Sequence, residues 1–385
     1  MENFTMHNPT SLHFGRNVTD DLGKTIAQYG KKILLVYGKG SIKKNGIYDQ
    51  VMEQLKQIGV EVFEYSGIKP NPITEDVDAA AEIGKKHNVD VVLAVGGGSV
   101  IDSAKIIALT IPCEHSAWRI MINLAKPEKA IPLVSVLTLA ATGTEMNPFA
   151  VLQNVQTHKK IGYGNPLIYP KHSFLDPAFT FSVSREYTAY GIVDLIAHAL
   201  ENYFGKGDAS LSDRFVFAIV REAMDYGPAL LDDLQDYDLR ARIMYAATSA
   251  LNGLTAYGRV SGDWGVHDLG HILSLLFDSP HGATLSVVYP AWLKLMKDRT
   301  PERISELGKA VFNVNGADRT ILALEGFFKS LGSPVRMEGL GIPQNKKKEI
   351  IDMMVQNKVN GAHHKIEKED IETVVGLMFA KAQTE

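Results

Sequence analysis

The stretch VDVVLAVGGGSVIDSAK, residues 89–105, joins a short apolar run to a helix-like segment through three consecutive glycines. The run VDVVLAV is rich in β-branched residues, which is typical of a buried strand. The segment that begins at Ser99 favours a helix. A strand, a glycine turn and a helix in this order are the unit of parallel sheets, so the stretch predicts an α/β fold.

The same alternation extends over most of the first half of the chain. Short apolar runs such as KKILLVYG, VEVFEYSG and IPLVSVLTL alternate with amphipathic stretches such as DQVMEQLKQIG and DVDAAAEIGKKHN. This pattern predicts a parallel sheet with helices on both faces, and ligands of such sheets lie beyond the carboxyl ends of the strands.

The pattern changes after the Asp176-Pro177 turn, where the apolar periodicity becomes helical. We therefore predict two domains, an α/β domain over residues 1–180 and an all-helical domain over residues 181–385. The clearest predicted helices of the second domain cover residues 184–204, 211–233, 237–257, 264–277 and 284–297.

Composition excludes several classes of function. The 385 residues carry a net charge of -4 and form no long basic stripe, so we expect no nucleic-acid binding. No apolar run approaches the ~18 residues of a membrane span, and MENFTMHNPT does not resemble a secretory signal. We expect a cytoplasmic protein. Because Cys113 is the sole cysteine, any metal site must use nitrogen and oxygen ligands.

Two glycine turns point to a nucleotide. In the first, Gly97, Gly98 and Ser99 lie between a strand and a helix, where backbone without Cβ atoms can approach a pyrophosphate. The third glycine of the dinucleotide fingerprint is absent, so a simple tight turn stays an alternative. In that alternative, Asp102 and Lys105 are a first-turn charge and a solvated side chain.

The second turn, Gly38-Lys39-Gly40-Ser41, is followed by Lys43 and Lys44 and contains no carboxylate. NAD-specific proteins usually place an acid near the adenosine ribose. Hydroxyl and ammonium groups instead suit a 2'-phosphate, which favours NADP over NAD. Solvated lysines beside a turn are the alternative.

Three segments of the second domain carry residues with metal-ligand spacing. Asp194 and His198 are four residues apart, as are His267 and His271, and each pair therefore shares one face of a helix. His281 follows a Pro-Gly-type turn, and Glu201 lies one helical turn beyond His198. A carboxylate and imidazoles without thiolate suit divalent iron or zinc. Spacing alone does not decide which four of these six residues ligate, and histidines satisfied in the core are the alternative for each pair.

Several motifs, taken together, resemble the iron-containing (group III) alcohol dehydrogenases. They are GGGSVIDSAK, TLAATGTE, the Asp194 and His198 pair, GVHDLGH at 265–271, and Pro280-His281-Gly282. NPT near the start, GIKPNP and the DW before His267 are similar to the NAD(P)H-dependent butanol dehydrogenases and broad-range aldehyde reductases of that family. The resemblance implies a Rossmann-like first domain and an all-helical second domain, the dehydroquinate synthase-like arrangement.

The resemblance also implies roles for individual residues. The implied metal ligands are Asp194, His198, His267 and His281, with His271 close by as proton donor or relay. Gly97, Gly98 and Ser99 would hold the pyrophosphate, and Gly38, Gly40 and Ser41 would face the adenosine ribose. The remaining implied cofactor contacts are Asn71, Thr138, Thr142, Asn147 and Lys160. For Thr138 and Thr142 the alternative is a hydroxyl that satisfies backbone at a strand end, and for Lys160 it is an exposed loop charge.

The implied activity is hydride transfer between NAD(P)H and small aliphatic aldehydes or alcohols such as butanal and butanol. The implied metal is iron or zinc, and the implied assembly is a homodimer. Lys39 departs from the family, because many relatives have glycine there and strictly NAD-dependent ones have an acid. A glycerol dehydrogenase or dehydroquinate synthase type, or a non-catalytic sensor of nucleotide or metal, would share the fold; a substrate panel separates them.

Overall fold

The run VDVVLAV forms an interior strand of a parallel sheet in the computed structural model, which describes residues 1–380. The strands are β1 (Ser11–Phe14), β2 (Lys32–Gly38), β3 (Glu61–Ile68), β4 (Val91–Gly96), β5 (Leu133–Leu137), β6 (Phe149–Asn154), β7 (Lys159–Gly164) and β8 (His172–Leu175).

Helices follow most strands in the first half and fill the second half. The helices of the first half are α1 (Leu22–Ile26), α2 (Ser41–Lys44), α3 (Ile47–Gln57), α4 (Thr74–His87), α5 (Gly98–Thr110) and α6 (Ala117–Met121). Those of the second half are α7 (Arg185–Tyr203), α8 (Ser210–Asp232), α9 (Tyr237–Ala250), α10 (Gly265–Phe277), α11 (His281–Met296), α12 (Pro301–Leu307), α13 (Ala317–Ser330), α14 (Lys347–Gln356) and α15 (Lys368–Phe379).

Six strands form one sheet in the order β1-β8-β5-β4-β2-β3, and every neighbouring pair is parallel. The predicted α/β fold is therefore confirmed. Sequence reasoning missed β1, whose pairing of Ser11 with His172 joins distant parts of the chain. It also missed the antiparallel hairpin of β6 and β7.

The sheet is covered on both faces because its strands are apolar on both sides. Ile33 and Leu35 of β2 pack in one core cluster with residues of α1 and α3. Leu34 and Val36 pack in another cluster with residues of α4 and α5. This arrangement places the helix that follows the glycine turn, α5, against the sheet itself.

The chain divides into two compact units. The sheet unit comprises residues 7–183 and 235–244, and the helical unit comprises residues 1–6, 184–234 and, within the described residues, 245–380. In the helical unit α11 is central, because it packs against α7, α10, α13 and α15. Trp292 and Tyr289 of α11 are fully buried there.

The helix predictions for 184–204, 211–233 and 264–277 are confirmed to within one residue. The prediction for 237–257 is wrong beyond Ala250, where α9 ends and turns such as that at Gly253, with its φ of 108°, follow. The helix predicted from 284 begins earlier, at His281, so this histidine lies in the first turn of α11 rather than in a loop. Residues 1–380 include no helix whose length and apolar character would suit a bilayer crossing.

Replacing Leu93 with alanine tests the packing of the central strand. Leu93 is fully buried in β4 between β2 and β5, so Leu93→Ala should lower the free energy of unfolding by about 2–5 kcal/mol through lost contacts and a cavity. Leu124→Ala is the control, because Leu124 is 62% exposed. This substitution should lower the free energy of unfolding by less than about 0.5 kcal/mol. Urea unfolding monitored by circular dichroism measures both, and equal losses would contradict a tightly packed sheet.

Candidate functional site

One carboxylate and four imidazoles meet in the helical unit. Helix α7 carries Asp194 and His198, helix α10 carries His267 and His271, and His281 opens α11. The predicted convergence of these distant segments is therefore present. Ser184 caps the start of α7 by accepting a hydrogen bond from the Tyr187 N–H at 3.3 Å, which sets where the helix begins.

Asp194 Oδ1 lies at the centre of this cluster. It is 3.4 Å from His198 Nδ1, 3.9 Å from His267 Nε2 and 3.8 Å from His281 Nε2. Asp194, His267 and His281 each offer a ligand atom within 4.8 Å of the other two. His198 adjoins the group, since its ring centroid is 4.6 Å from that of His267.

Three of the central atoms are buried without a hydrogen bond. They are Asp194 Oδ1, His198 Nδ1 and His267 Nε2, on side chains that are at most 7% exposed. Buried polar atoms normally find a partner, because leaving one without costs about 1–3 kcal/mol. Two ligands bound about 2.1 Å from a tetrahedral ion lie ~3.4 Å apart. The donor atoms and their spacing thus fit a divalent cation.

Burial and charge act in opposite directions on these groups. Burial lowers the pKa of His198 to about 4, although Asp194 opposes this effect. Burial also acts to lower the pKa of His267, but Asp194 and Glu201 outweigh it and raise the pKa to about 9. For Asp194, burial acts to raise the pKa, but His198, His267 and His281 lower it overall. The carboxylate is thus anionic and favours positive charge beside it.

Glu201 holds His267 in one orientation. Its Oε1 accepts hydrogen bonds from His267 Nδ1 and from the His267 backbone N–H, both at 2.9 Å. Its Oε2 accepts the Trp264 N–H at 2.6 Å, and Trp264 has a left-handed backbone, φ 67°, at the start of α10. Since Nδ1 faces this carboxylate, Nε2 is the ring atom directed at Asp194. The family resemblance implies that Glu201 supports the site or is purely structural without ligating, and the structure places it behind His267.

His271 lies beside this cluster. Its ring centroid is 6.3 Å from that of His267 and 5.3 Å from that of His281. The side chain is 7% exposed and is therefore shielded from bulk solvent. This position is compatible with a histidine that stands near the ligands without joining them.

In the sheet unit, the turn after β4 brings backbone close to a neighbouring loop. A Cβ atom on Gly98 would lie 2.7 Å from Thr142 Oγ1 and Cγ2, so no side chain fits there. The Ser99 hydroxyl donates to the Pro70 carbonyl. Gly97 and Gly98 therefore let the first turn of α5, a 13-residue helix, pack closely against Leu139 and Thr142.

The remaining predicted cofactor residues lie near the same sheet edge or bond to each other. The Thr138 N–H donates to the Gly96 carbonyl at 3.0 Å, which links the ends of β5 and β4. Lys160, on β7, is buried and donates from Nζ to Asn71 Oδ1 at 2.8 Å. An exposed loop charge is therefore the wrong description of Lys160.

The second glycine turn opens beside the first. Gly38 ends β2, which neighbours β4 in parallel register, and Gly40 has a φ of 110° that favours glycine. Ser41 starts α2 and is exposed, as is Lys39. Both glycine turns therefore lie at the carboxyl edge of the sheet, as predicted.

A buried lysine links these elements, and sequence reasoning missed it. Lys105 of α5 is fully buried, so a solvated helix face is the wrong description of this position. Its Nζ donates to Thr144 Oγ1 at 2.7 Å, the Asn147 carbonyl at 2.8 Å and the Phe149 carbonyl at 2.7 Å. Burial lowers its pKa to about 8, although Asp102 and Glu145 oppose that shift.

Asn147 bonds to this lysine and to its own loop. Its Oδ1 accepts from Lys105 Nζ at 3.1 Å and from the Phe149 N–H at 2.9 Å, and its Nδ2 donates to the Gly143 carbonyl at 2.9 Å. Asn147 thus shapes the loop that carries Thr138 and Thr142. The sequence signal for this lysine was its spacing from the glycine turn, which places Lys105 two helical turns into α5.

Comparisons with known proteins show which family the chain belongs to. Residues 9–177 match the family described as iron-containing alcohol dehydrogenase, and residues 188–378 match the C-terminal part of the Fe-containing alcohol dehydrogenase family. The chain belongs to the iron-containing alcohol dehydrogenase family. The sequence-based family assignment is therefore confirmed.

Individual relatives span nearly the whole chain. The probable NADH-dependent butanol dehydrogenase 1 of Bacillus subtilis is 41% identical over 97% of this chain and 99% of its own. The NADPH-dependent aldehyde reductase YqhD of Escherichia coli is 37% identical over 89% of this chain and 90% of its own. The crystal structure of NADH-dependent butanol dehydrogenase A from Thermotoga maritima is 40% identical, with a TM-score of 0.95 and 99% of both chains covered.

Replacing Lys105 tests its role in the sheet unit. Lys105→Met keeps most of the side-chain volume but leaves Asp102 and Glu145 without their buried cation, so we expect a loss of about 3–5 kcal/mol in the free energy of unfolding. Lys86→Met is the control, because Lys86 is exposed on α4. Thermal and urea unfolding of the two variants measure the difference, and an unchanged Lys105→Met protein would contradict the assigned role.

Proposed function

We propose that this protein is a metal-dependent alcohol dehydrogenase and aldehyde reductase that uses NAD(P)H. The reaction transfers a hydride from the reduced nicotinamide to the carbonyl carbon of a small aliphatic aldehyde, and a proton completes the alcohol. The observation that supports this most is the cluster around Asp194, where buried nitrogen and oxygen atoms converge without hydrogen-bond partners. Relatives named butanol dehydrogenase and aldehyde reductase indicate the substrate class.

The proposed metal ligands are Asp194, His198, His267 and His281, holding divalent iron or zinc. A cation bound there would act as a Lewis acid toward the carbonyl oxygen. Glu201 orients His267 by accepting its Nδ1–H at 2.9 Å. The carboxylate of Asp194 supplies the negative charge that a divalent cation requires.

His271 is the proposed proton donor or relay. It stands one helical turn after His267 on α10, and its centroid lies 5.3 Å from that of His281. An imidazole can both donate and accept a proton, so His271 can give a proton to the nascent alcohol.

The proposed cofactor residues lie in the sheet unit. In the proposed domain division at residue 180, the first domain binds the dinucleotide. Gly97, Gly98 and Ser99 receive the pyrophosphate through backbone N–H groups of α5. The adenosine ribose contacts Gly38, Gly40 and Ser41. The other contacts come from Asn71, Thr138, Thr142, Asn147 and Lys160, with NADP preferred and NAD accepted.

Assembly and location complete the proposal. The edge strand β1 pairs with β8 and offers its other side to a second copy, which favours a homodimer. We place the protein in the cytoplasm, where cells maintain reduced nicotinamide cofactors. Light scattering tests the dimer, and cell fractionation tests the location.

Anaerobic purification with elemental analysis, followed by an aldehyde and alcohol panel, tests the activity. We expect bound iron or zinc and metal-dependent reduction of butanal with NADH or NADPH. Glycerol and a cyclising phosphate substrate belong in the panel. Activity confined to one of these two compounds, with none on butanal or butanol, would contradict the proposed substrate class. Absence of any metal-dependent turnover would refute the enzyme assignment.

His267→Ala and His271→Ala separate ligation from proton transfer. His267→Ala should lose bound metal and turnover but still bind NADPH, because the nucleotide residues lie in the sheet unit. His271→Ala should retain the metal and lose about 10²–10⁴-fold in rate. Metal content and single-turnover rates distinguish them, and unchanged metal content in His267→Ala would refute the ligand assignment.

Glu201→Gln tests the support behind His267. The substitution exchanges a carboxylate acceptor for a neutral amide at nearly constant shape, so metal affinity should fall about 10–100-fold. Glu302→Gln, at an exposed position of α12, is the control and should leave the affinity unchanged. Competition with a chelator measures both affinities, and equal values for the two variants would contradict this role of Glu201.

A further inference from the structure

A carboxylate is held in a fixed position close to the second glycine turn. Glu64 lies on β3, the edge strand next to β2. Its Oε2 accepts the Tyr37 hydroxyl at 2.7 Å, and its Oε1 accepts the Tyr48 hydroxyl at 2.8 Å. Because both oxygens are engaged by rigid aromatic side chains, this charge has little freedom to move.

Lys43 is drawn to that carboxylate. Its Nζ lies 3.8 Å from Glu64 Oε2, and it stands over the Tyr48 and Tyr37 rings at 4.4 and 5.0 Å from their centroids. One anion and two aromatic faces therefore attract the same ammonium group. Lys43 follows Ser41 by two residues, so this ammonium belongs to the turn proposed for the adenosine ribose.

Strand register shows that this pairing directs Lys43 away from the sheet edge. Gly38, the last residue of β2, pairs with Ile68, whereas Glu64 pairs with Leu35. Glu64 is therefore three residues before the end of β2, or ~10 Å at 3.3 Å per residue. Nucleotides bind beyond the carboxyl ends of the strands, so Glu64 holds the ammonium on the side away from that region.

The two nicotinamide cofactors differ at the group that this ammonium could bind. NADPH carries a doubly ionisable phosphate on the adenosine ribose, and NADH carries a neutral hydroxyl there. An ammonium strongly favours the phosphate, because charge-assisted hydrogen bonds are about twice as strong as neutral ones. Glu64 and the 2'-phosphate therefore compete for Lys43, whereas the 2'-hydroxyl does not.

We propose that Glu64 determines the NADPH-to-NADH preference of this protein by sequestering Lys43. This proposal rests on the nucleotide site of the proposed function. Binding of NADPH must release Lys43 from Glu64, and binding of NADH requires no such release. The turn lysines, taken alone, favour a 2'-phosphate, and the structure gives one of them a competing partner within the chain. Glu64 thereby weakens the preference for NADPH without contacting either cofactor.

Glu64→Gln and Lys43→Met test the proposal, together with the double variant. Lys43 and Glu64 are 47% and 35% exposed, and such ion pairs contribute little to folding, so the variants should remain folded. Dissociation constants for NADH and NADPH come from fluorescence titration, and the ratio of kcat/KM values for butanal reduction provides a second readout. A merely structural role of Glu64 would change both cofactors alike.

We expect Glu64→Gln to bind NADPH about three- to fivefold more tightly, with NADH unchanged. In the double variant this gain should disappear, because the released ammonium is gone. Added salt should reduce the gain, since screening weakens the ammonium–phosphate attraction. Glu61→Gln is the matched control, because Glu61 is an exposed carboxylate at the start of β3 and its loss changes net charge equally.

Three results would overturn the inference. They are an equal change for NADH and NADPH in Glu64→Gln, persistence of the NADPH gain in the double variant, and the same gain in Glu61→Gln. If the unaltered protein binds neither cofactor, the proposed function itself fails. The first titration therefore distinguishes failure of the function from failure of the inference.

Discussion

The buried carboxylate of Asp194 lies at the centre of the histidine cluster in the helical unit. It lies on α7 among imidazoles from α7, α10 and α11, and its Oδ1 has no hydrogen bond. A charge removed from water must be compensated, and these imidazoles only partly achieve this. A shared cation satisfies the carboxylate and the ring nitrogens together. The packing of α11 against α7 and α10 brings His267 and His281 close to Asp194.

The carboxylate of Glu201 holds the histidine cluster from behind, through hydrogen bonds at the start of α10. The Glu201 carboxylate accepts three hydrogen bonds, from His267 Nδ1 and from the backbone N–H groups of His267 and Trp264. These bonds bind the start of α10 to α7 at a point where Trp264 has a left-handed backbone. Such strain persists only where the surrounding contacts determine it. The orientation of one imidazole is thus linked to the position of a whole helix.

In the sheet unit, Lys105 links neighbouring segments by hydrogen bonds, as Glu201 does in the helical unit. Its single ammonium donates to the loop after β5 and to the start of β6, and it projects from the helix that follows the glycine turn. The loop with Thr138 and Thr142, and the hairpin with Lys160, are therefore positioned from inside the fold. At the neighbouring turn, by contrast, Lys43 is held on the sheet surface by Glu64. Lys105 is thus held in the interior of the sheet unit, and Lys43 forms a partly exposed ion pair at its surface.

The sequence alone was sufficient for the fold class, the main strands and helices, the family and the residues that meet at Asp194. These features follow from short-range periodicity and from residue types at fixed spacing, which a linear chain displays directly. Tertiary structure alone decided the pairing of β1 with β8, the early start of α11 at His281, and the partners of Glu201, Lys105, Lys160 and Lys43. Each of these depends on contacts between segments far apart in the chain or on different elements. Whether a charged side chain is solvated or buried is determined by what packs over it, and no local pattern of residues carries that information.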